Sequence, residues 1–215
     1  AASAQGVWLP TLAAMCVLTL LVGNVGAVVQ TSVKRMLAYS SISHAGYLLI
    51  ALVAFNGALE GPSANGIMFY SLAYSIATVS AFGVLKLVAD ARQREDYAGF
   101  QGLAKTNPLL AFCLTVSMLS LAGIPLTGGF FGKFFVFMAA AENGYIGLVV
   151  FAVIMSMVSI YYYLRPIIAM YMRDADAETA ALPVPVTTFQ AGALLVLAAL
   201  TVLLGVLPGV LAGVL

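Results

Sequence analysis

Charged residues are scarce in this chain: 9 Lys+Arg and 8 Asp+Glu among 215 residues, 8% in all, with one histidine and two cysteines. A soluble globular domain carries roughly 25% charged residues, so the polar atoms needed to coat a water-facing surface are missing. The near balance of sign, a net charge of +1, comes without a basic stripe or aromatic–basic interleaving, and nucleic acid is excluded as a partner. Cys16 and Cys113 lie far apart inside apolar runs. They form neither a disulfide framework nor an iron–sulfur or zinc ligand set, and read as small hydrophobes of a core. A lone histidine and the lack of paired carboxylates leave no material for a hydrolytic triad. Gly132-Lys133 resembles the end of a phosphate loop, but Thr127 stands where its first glycine belongs and Phe134 where its Ser/Thr belongs, so no nucleotide site follows.

What the chain has instead is apolar length. Hydrophobic residues make up 63% of it and the mean hydropathy is +1.07. Strand alternation is absent, and uncharged runs separated by charged or Pro/Gly/Asn-rich breaks predict spans over 8–30, 36–56, 66–89, 109–141, 145–171 and 188–213. The expected fold class is all-α: a polytopic membrane helix bundle, a single transmembrane domain of about six transmembrane helices at roughly 20 residues per crossing. The fourth run is too long for one straight crossing and is interrupted at Gly123-Ile124-Pro125-Leu126-Thr127-Gly128-Gly129. Proline removes a backbone donor and glycine permits unwound backbone, so two half-helices should meet near the midplane. Lipid cannot satisfy the freed carbonyls, and the break must face protein or a wet cavity.

Loop charge sets the expected orientation. Lys34, Arg35, Arg92, Arg94, Lys105 and Arg173 collect on one side, with Arg165 toward the same end of its helix, whereas the connections around Glu60 and Glu142 are acidic or neutral. The basic side is then cytoplasmic and both ends of the chain lie outside. The chain begins Ala1-Ala2-Ser3 with neither a methionine nor a charged n-region, so no signal peptide is read and the chain is expected to be the later part of a longer polypeptide.

Three ionisable residues fall within hydrocarbon depth: Lys133, His44 and Lys86. Lys133 lies four residues beyond Gly129, about 6 Å at 1.5 Å per residue, too deep to snorkel. A lysine at a helix centre costs about 2.5 to 3.5 kcal/mol on insertion scales and normally faces a partner or water, which makes it the leading candidate for a proton-carrying group. His44 sits about 12 Å below the basic end, in Tyr39-Ser40-Ser41-Ile42-Ser43-His44-Ala45-Gly46-Tyr47, where Ser40, Ser43, His44 and Tyr47 share one helix face. It reads either as a proton carrier or as a neutral histidine bonded to a serine across a helix contact. Lys86, four residues before Asp90, reads either as an interfacial anchor paired with that aspartate or as a relay lysine between His44 and Lys133. Lys34 and Arg35 are explained by orientation alone, and Tyr161-Tyr162-Tyr163-Leu164-Arg165 reads first as an interfacial aromatic anchor.

The stretch Val33-Lys34-Arg35-Met36-Leu37-Ala38-Tyr39-Ser40-Ser41-Ile42-Ser43-His44-Ala45-Gly46-Tyr47-Leu48-Leu49 closely resembles the signature of the antiporter-like membrane subunits of respiratory complex I. A second block, Ser120-Leu121-Ala122-Gly123-Ile124-Pro125-Leu126-Thr127-Gly128-Gly129-Phe130-Phe131-Gly132-Lys133-Phe134, followed by Tyr161 to Arg165, is most similar to the subunit N branch. The resemblance covers nearly the whole chain. It implies the second of two inverted repeats plus the last helix, with Lys133 as the broken-helix lysine, His44 in a hydrated path along the membrane and Lys86 on the intervening helix. The first repeat is absent from these residues, so the resemblance implies a missing segment or a separate chain that carries it.

The expected function is a proton-translocating membrane subunit of a bacterial NADH:quinone oxidoreductase, in the cytoplasmic (inner) membrane, coupled to remote quinone reduction. No cofactor is expected on this chain. Its expected partners are the lipid bilayer and the other membrane subunits of the complex. The alternatives are a subunit of a multi-subunit Na⁺/H⁺ antiporter and a non-pumping structural spacer. A midplane small-molecule transporter lacks a polar pocket constellation and ranks last. If the chain is the later part of a longer polypeptide, sequencing upstream of the Ala1 codon shows an open frame running into further apolar spans, whereas a start codon there supports a split gene.

Overall fold

The computed structural model describes residues 2–55, 62–176 and 182–209. Helix α1 (Ala2–Val28) is followed by α2 (Val33–Val53) and α3 (Pro62–Arg92). A 3-10 turn (Tyr97–Phe100) and the one-turn α4 (Leu103–Thr106) lead into α5 (Pro108–Ala122) and α6 (Gly128–Glu142). Two further helices, α7 (Ile146–Met172) and α8 (Thr188–Val206), complete the described chain. Five of the helices are long and apolar enough to cross a membrane, and α5 is a shorter apolar helix. With α5 and α6 taken as the two halves of one interrupted crossing, the chain is an all-α polytopic membrane helix bundle. Glu60 and residues 210–213, the end of the last expected span, lie outside the described residues.

Local sequence sets the helix ends. Ser32 starts α2, its hydroxyl accepting from the Arg35 N–H; Asn107 starts α5 in the same way, accepting from Leu110 N–H ahead of Pro108 in the first turn. Thr187 and Gln190 form a reciprocal capping box at the start of α8. At one end of the bundle the helix termini are tied together. Val33 N–H donates to Glu95 O at 2.8 Å, Gly102 N–H donates to Arg173 O at 2.9 Å, and Lys34–Glu95, Arg94–Asp176 and Lys105–Asp174 are ion pairs. Arg92 is buried in this layer and donates to Gly99 O, Gln101 O and the Thr106 hydroxyl.

Packing is inside out by the standard of a soluble protein. Met15, Leu18, Val22, Val25, Met157 and Val196 are exposed, while Asn24, Ser40, Ser43, His44, Ser120, Lys133 and Ser159 are buried. Such a surface suits lipid or other apolar helices, and the polar atoms turn inward, where most of those named find partners. Helix α1 lies along α2, α3 packs on α5 and α6, α7 packs on α1 and α5, and α8 crosses α3, α5 and α6. The α1–α2 contact is close because glycines face it: a Cβ at Gly46 would stand 2.8 Å from Leu20 Cγ. Cys16 and Cys113 are free and buried.

The break runs over residues 123–127, and the two glycines that follow it are not unwound. Gly128 and Gly129 form the first turn of α6, and their value is close approach rather than flexibility. A Cβ on Gly128 would meet Leu204 of α8 at 2.9 Å, and one on Gly129 would collide with the Ser120 carbonyl of α5. The turn itself is made by Gly123 (φ +83°) and by Leu126 (φ +71°). For leucine that left-handed conformation costs roughly 1–2 kcal/mol, which the surrounding contacts must outweigh. Gly205 of α8 lies directly against the backbone of Leu126 and Thr127, so the last helix seals the break. Replacing Gly129 by alanine forces α5 and α6 apart; overpacking of this kind costs about 1–3 kcal/mol, and a lower detergent melting temperature than the parent protein is the expected result.

Candidate functional site

The polar interior is organised by how the broken helix ends are satisfied. The last carbonyls of α5 have no intrahelical partners. Gly123 N–H donates to Ser120 O and Ile124 N–H to Leu119 O, a Schellman arrangement that accounts for two of them. A third, Ala122 O, accepts from Lys133 Nζ at 2.9 Å. Lys133 stands on the second turn of α6, so its side chain runs back across the break toward α5, through space that Gly123 leaves open. The ammonium thereby sits at the negative end of the α5 dipole, where a cation is favoured. Its second acceptor is Ser156 Oγ of α7 at 2.9 Å. On the other side of the break, Ser120 Oγ accepts from Gly129 N–H at 3.1 Å and caps α6 from α5. Lys133 is 5% exposed.

His44 lies one helix away on α2. Both ring nitrogens are engaged: Nδ1 with Tyr70 Oη at 2.6 Å and Nε2 with Tyr163 Oη at 2.9 Å. Tyr163 also shares a hydrogen bond with Ser40 Oγ. The imidazole stacks on Tyr74, with centroids 4.5 Å apart, and meets Tyr47 edge-on at 5.9 Å. Ser40, Ser43, His44 and Tyr47 are all buried on one face of α2. A third polar set flanks these two: Tyr162 Oη donates to Asn24 Oδ1 at 3.2 Å, and Tyr162 lies beside Ser43 and Ser159.

The structure therefore brings His44 and Lys133 into one interior region, within electrostatic range of each other. It does not bring Lys86 there. Lys86 Nζ pairs with Asp90 Oδ2 at 2.8 Å on the same helix, with side chains 75% and 64% exposed, and the pair borders an open groove of about 300 Å³ between α3 and α8. Of the three tyrosines in the run Tyr161 to Arg165, expected as an interfacial anchor, Tyr161 alone is exposed. Tyr162 and Tyr163 are 1% exposed and point into the polar interior. Arg165 ties α7 to the end of α1, donating to Val28 O at 3.0 Å and Gln30 O at 2.9 Å, with its guanidinium 4.3 Å from the centroid of the Tyr97 ring. Burial in that corner pushes the Tyr97 phenol up, against the opposing pull of the Arg165 charge. Sequence reasoning missed Tyr70, Tyr163, Ser156, Asn24 and Tyr162. Tyrosine and serine are common in membrane helices, and only neighbouring helices reveal which of them meet an imidazole or an amine. Among the described residues no group of three or more His, Cys, Asp or Glu side chains is placed to hold a metal ion.

Fold and site together define a polytopic helical membrane protein built round an amine buried at an interrupted helix. Residues 1–159 match the family model for the transmembrane region of NADH:quinone oxidoreductase and Mrp antiporter subunits, and the chain belongs to that family. It is 44% identical over 203 residues to NADH-quinone oxidoreductase subunit N of Bdellovibrio bacteriovorus, covering 91% of this chain and 40% of the relative. A chain of respiratory complex I from Thermus thermophilus superimposes with a TM-score of 0.82 at 35% identity, over 95% of this chain and 45% of that one. A chain of the Mrp complex from Dietzia shares the fold, with a TM-score of 0.82 at 23% identity over 96% and 46%. The chain thus spans about 40% of the length of the curated relatives it matches.

Because His44 is the only histidine of these 215 residues, ¹⁵N-histidine labelling of this 215-residue chain gives a single imidazole to observe in bilayer solid-state NMR. Tyr163→Phe is expected to shift the Nε2 resonance and leave Nδ1 nearly unchanged, and Tyr70→Phe to do the reverse. Loss of either buried hydrogen bond is expected to cost about 1–3 kcal/mol of stability.

Proposed function

We propose that this chain is the proton-translocating second half of an NADH:quinone oxidoreductase membrane subunit of the subunit N type, and that Lys133 and His44 carry the proton. The observation that supports this most is the amine at the helix break: it is buried, held by one backbone carbonyl and one hydroxyl, and has no carboxylate partner among the described residues. A lysine kept only for structure would normally be neutralised by an ion pair at such depth. Here its charge is balanced by a helix dipole and one hydroxyl, an environment that can hold either protonation state.

The energetics are feasible. Moving one proton against 100 mV costs about 2.3 kcal/mol, and a swing of one pKa unit is worth 1.36 kcal/mol. A modest change in hydration or nearby charge at the amine is therefore enough to load and unload it. Electron transfer belongs to other subunits of the complex, and its effect would reach Lys133 as a shift in local charge and water access. Lys133 releases its proton toward the outer side, and His44, with the hydroxyls of Tyr70 and Tyr163, refills it from the inner or lateral side. Lys86, paired with Asp90 on the outer face of α3, is at most an entry point from a neighbouring subunit.

The chain lies in the cytoplasmic membrane with the end bearing Lys34, Arg94 and Lys105 inside, in keeping with the positive-inside rule. A segment or separate chain carrying the first repeat and the other membrane subunits of the complex are its partners. Lys133→Met in the intact complex, assayed in inverted membrane vesicles, is expected to leave NADH oxidation and assembly in place while proton uptake falls several-fold. Undiminished uptake would favour the structural spacer, and a pH change that requires sodium would favour the antiporter.

A further inference from the structure

Tyr47 stands between the two groups that the proposed pathway must connect. Lys133 Nζ lies over its ring at 4.9 Å from the centroid, and His44 meets the same ring edge-on. On the histidine side, hydrogen bonds link Tyr70, His44, Tyr163 and Ser40. On the lysine side they link Lys133 to Ala122 O and Ser156. No hydrogen bond runs directly from His44, Tyr70, Tyr163 or Ser40 to Lys133 or Ser156 among the described residues, and Tyr162 and Asn24 flank the ring between them. The gap is filled by an aromatic ring, which conducts no protons.

The hydroxyl of Tyr47 is the telling atom. It is buried without a hydrogen-bond partner, although Ser156 and Asn24 lie beside it. Ser43 Oγ, one turn earlier on the same face of α2, is likewise buried and unpartnered. Buried hydroxyls normally find a partner, and two orphans one turn apart on one helix face mark a place for water or for a second side-chain position. Tyr47 is thus held where it is by its ring and not by its hydroxyl.

From this geometry we infer that Tyr47 is a positioning residue that acts as a charge-sensitive valve between His44 and Lys133, closed by the attraction of the Lys133 ammonium for its ring. An ammonium over an aromatic face is attracted electrostatically, more so when desolvated, and a neutral amine exerts no such pull. While Lys133 carries its proton the ring stays down and keeps that proton from returning toward His44. Once Lys133 has released it, the ring is free to tilt away from the amine, and its hydroxyl closes a hydrogen bond with Ser156 or Asn24, which already lie beside it. Water can then enter beside the Ser43 hydroxyl and link the imidazole to the amine for reloading. The inference rests on the proton-translocating reading above.

The test uses the intact complex in membrane vesicles, with the passive decay of an imposed pH gradient measured without NADH and normalised to assembled complex. Tyr47→Leu removes the aromatic face and is expected to speed the decay several-fold and to lower the NADH-driven gradient. Tyr47→Phe keeps the face and restores the parental decay rate. Adding Lys133→Met to Tyr47→Leu abolishes the extra decay, because the leak runs through the amine. If Tyr47→Leu does not assemble, Tyr47→Met, unbranched and without a π face, takes its place with the same expectation. A parental decay rate in Tyr47→Leu overturns the valve. So does a leak in Tyr47→Phe as large as in Tyr47→Leu, or a leak that persists without Lys133. Failure of the underlying reading shows separately, as undiminished NADH-driven proton uptake in Lys133→Met alone.

Discussion

The backbone of an interrupted helix cannot be left unsatisfied in a solvent that offers no hydrogen bonds, and most of this structure follows from that. Ending α5 and restarting α6 inside the bilayer creates orphan carbonyls facing orphan amides. The chain satisfies them with its own atoms: the Gly123–Ile124 turn, the Ser120 hydroxyl reaching across to Gly129 N–H, and the Lys133 ammonium on Ala122 O. Helix α8 then closes the remaining side, with Gly205 pressed on the Leu126–Thr127 backbone. A charged group is thus one of the partners that terminate the half-helix at the break.

That arrangement gives Lys133 two roles that cannot be separated. As a cap it stabilises the C-terminal end of α5, and as a titratable amine it carries charge where charge is costly. A change in its protonation state is therefore also a change in how well the half-helix is terminated. A site of this kind can convert an electrostatic event into a local structural one without any large motion, since the acceptors, the aromatic ring and the helix end all lie within the reach of a single side chain.

The aromatic bed around His44 serves a complementary end. Tyr70 and Tyr163 occupy both imidazole nitrogens, and Tyr74 stacks on the ring, so the histidine is fixed in position yet bonded only to groups that can both donate and accept. Hydroxyl partners allow the direction of each hydrogen bond to reverse, which a carboxylate or a backbone carbonyl would not.

Apolar length, the scarcity of charge and the Gly/Pro interruption were enough to read a helical membrane bundle with one broken crossing, because in lipid the backbone rule leaves few alternatives. The depth of Lys133 and His44 could be counted along their helices, and the shared face of Ser40, Ser43, His44 and Tyr47 follows from helical periodicity alone. Lys86 shows the limit: its position within a span suited both a relay and an Asp90 pair, and only the direction of its side chain, outward from α3, separates the two. Gly128 and Gly129 were legible as part of an interruption but not as helical residues chosen for close approach. Tyr70, Tyr163 and Ser156 lie on helices far apart in sequence, and their convergence on one imidazole and one amine is a property of packing. Sequence by itself determined the solvent, the helices and the two costly charges, because those depend on composition and local period; tertiary structure alone decided which groups touch those charges, because contact depends on how the helices rotate and cross.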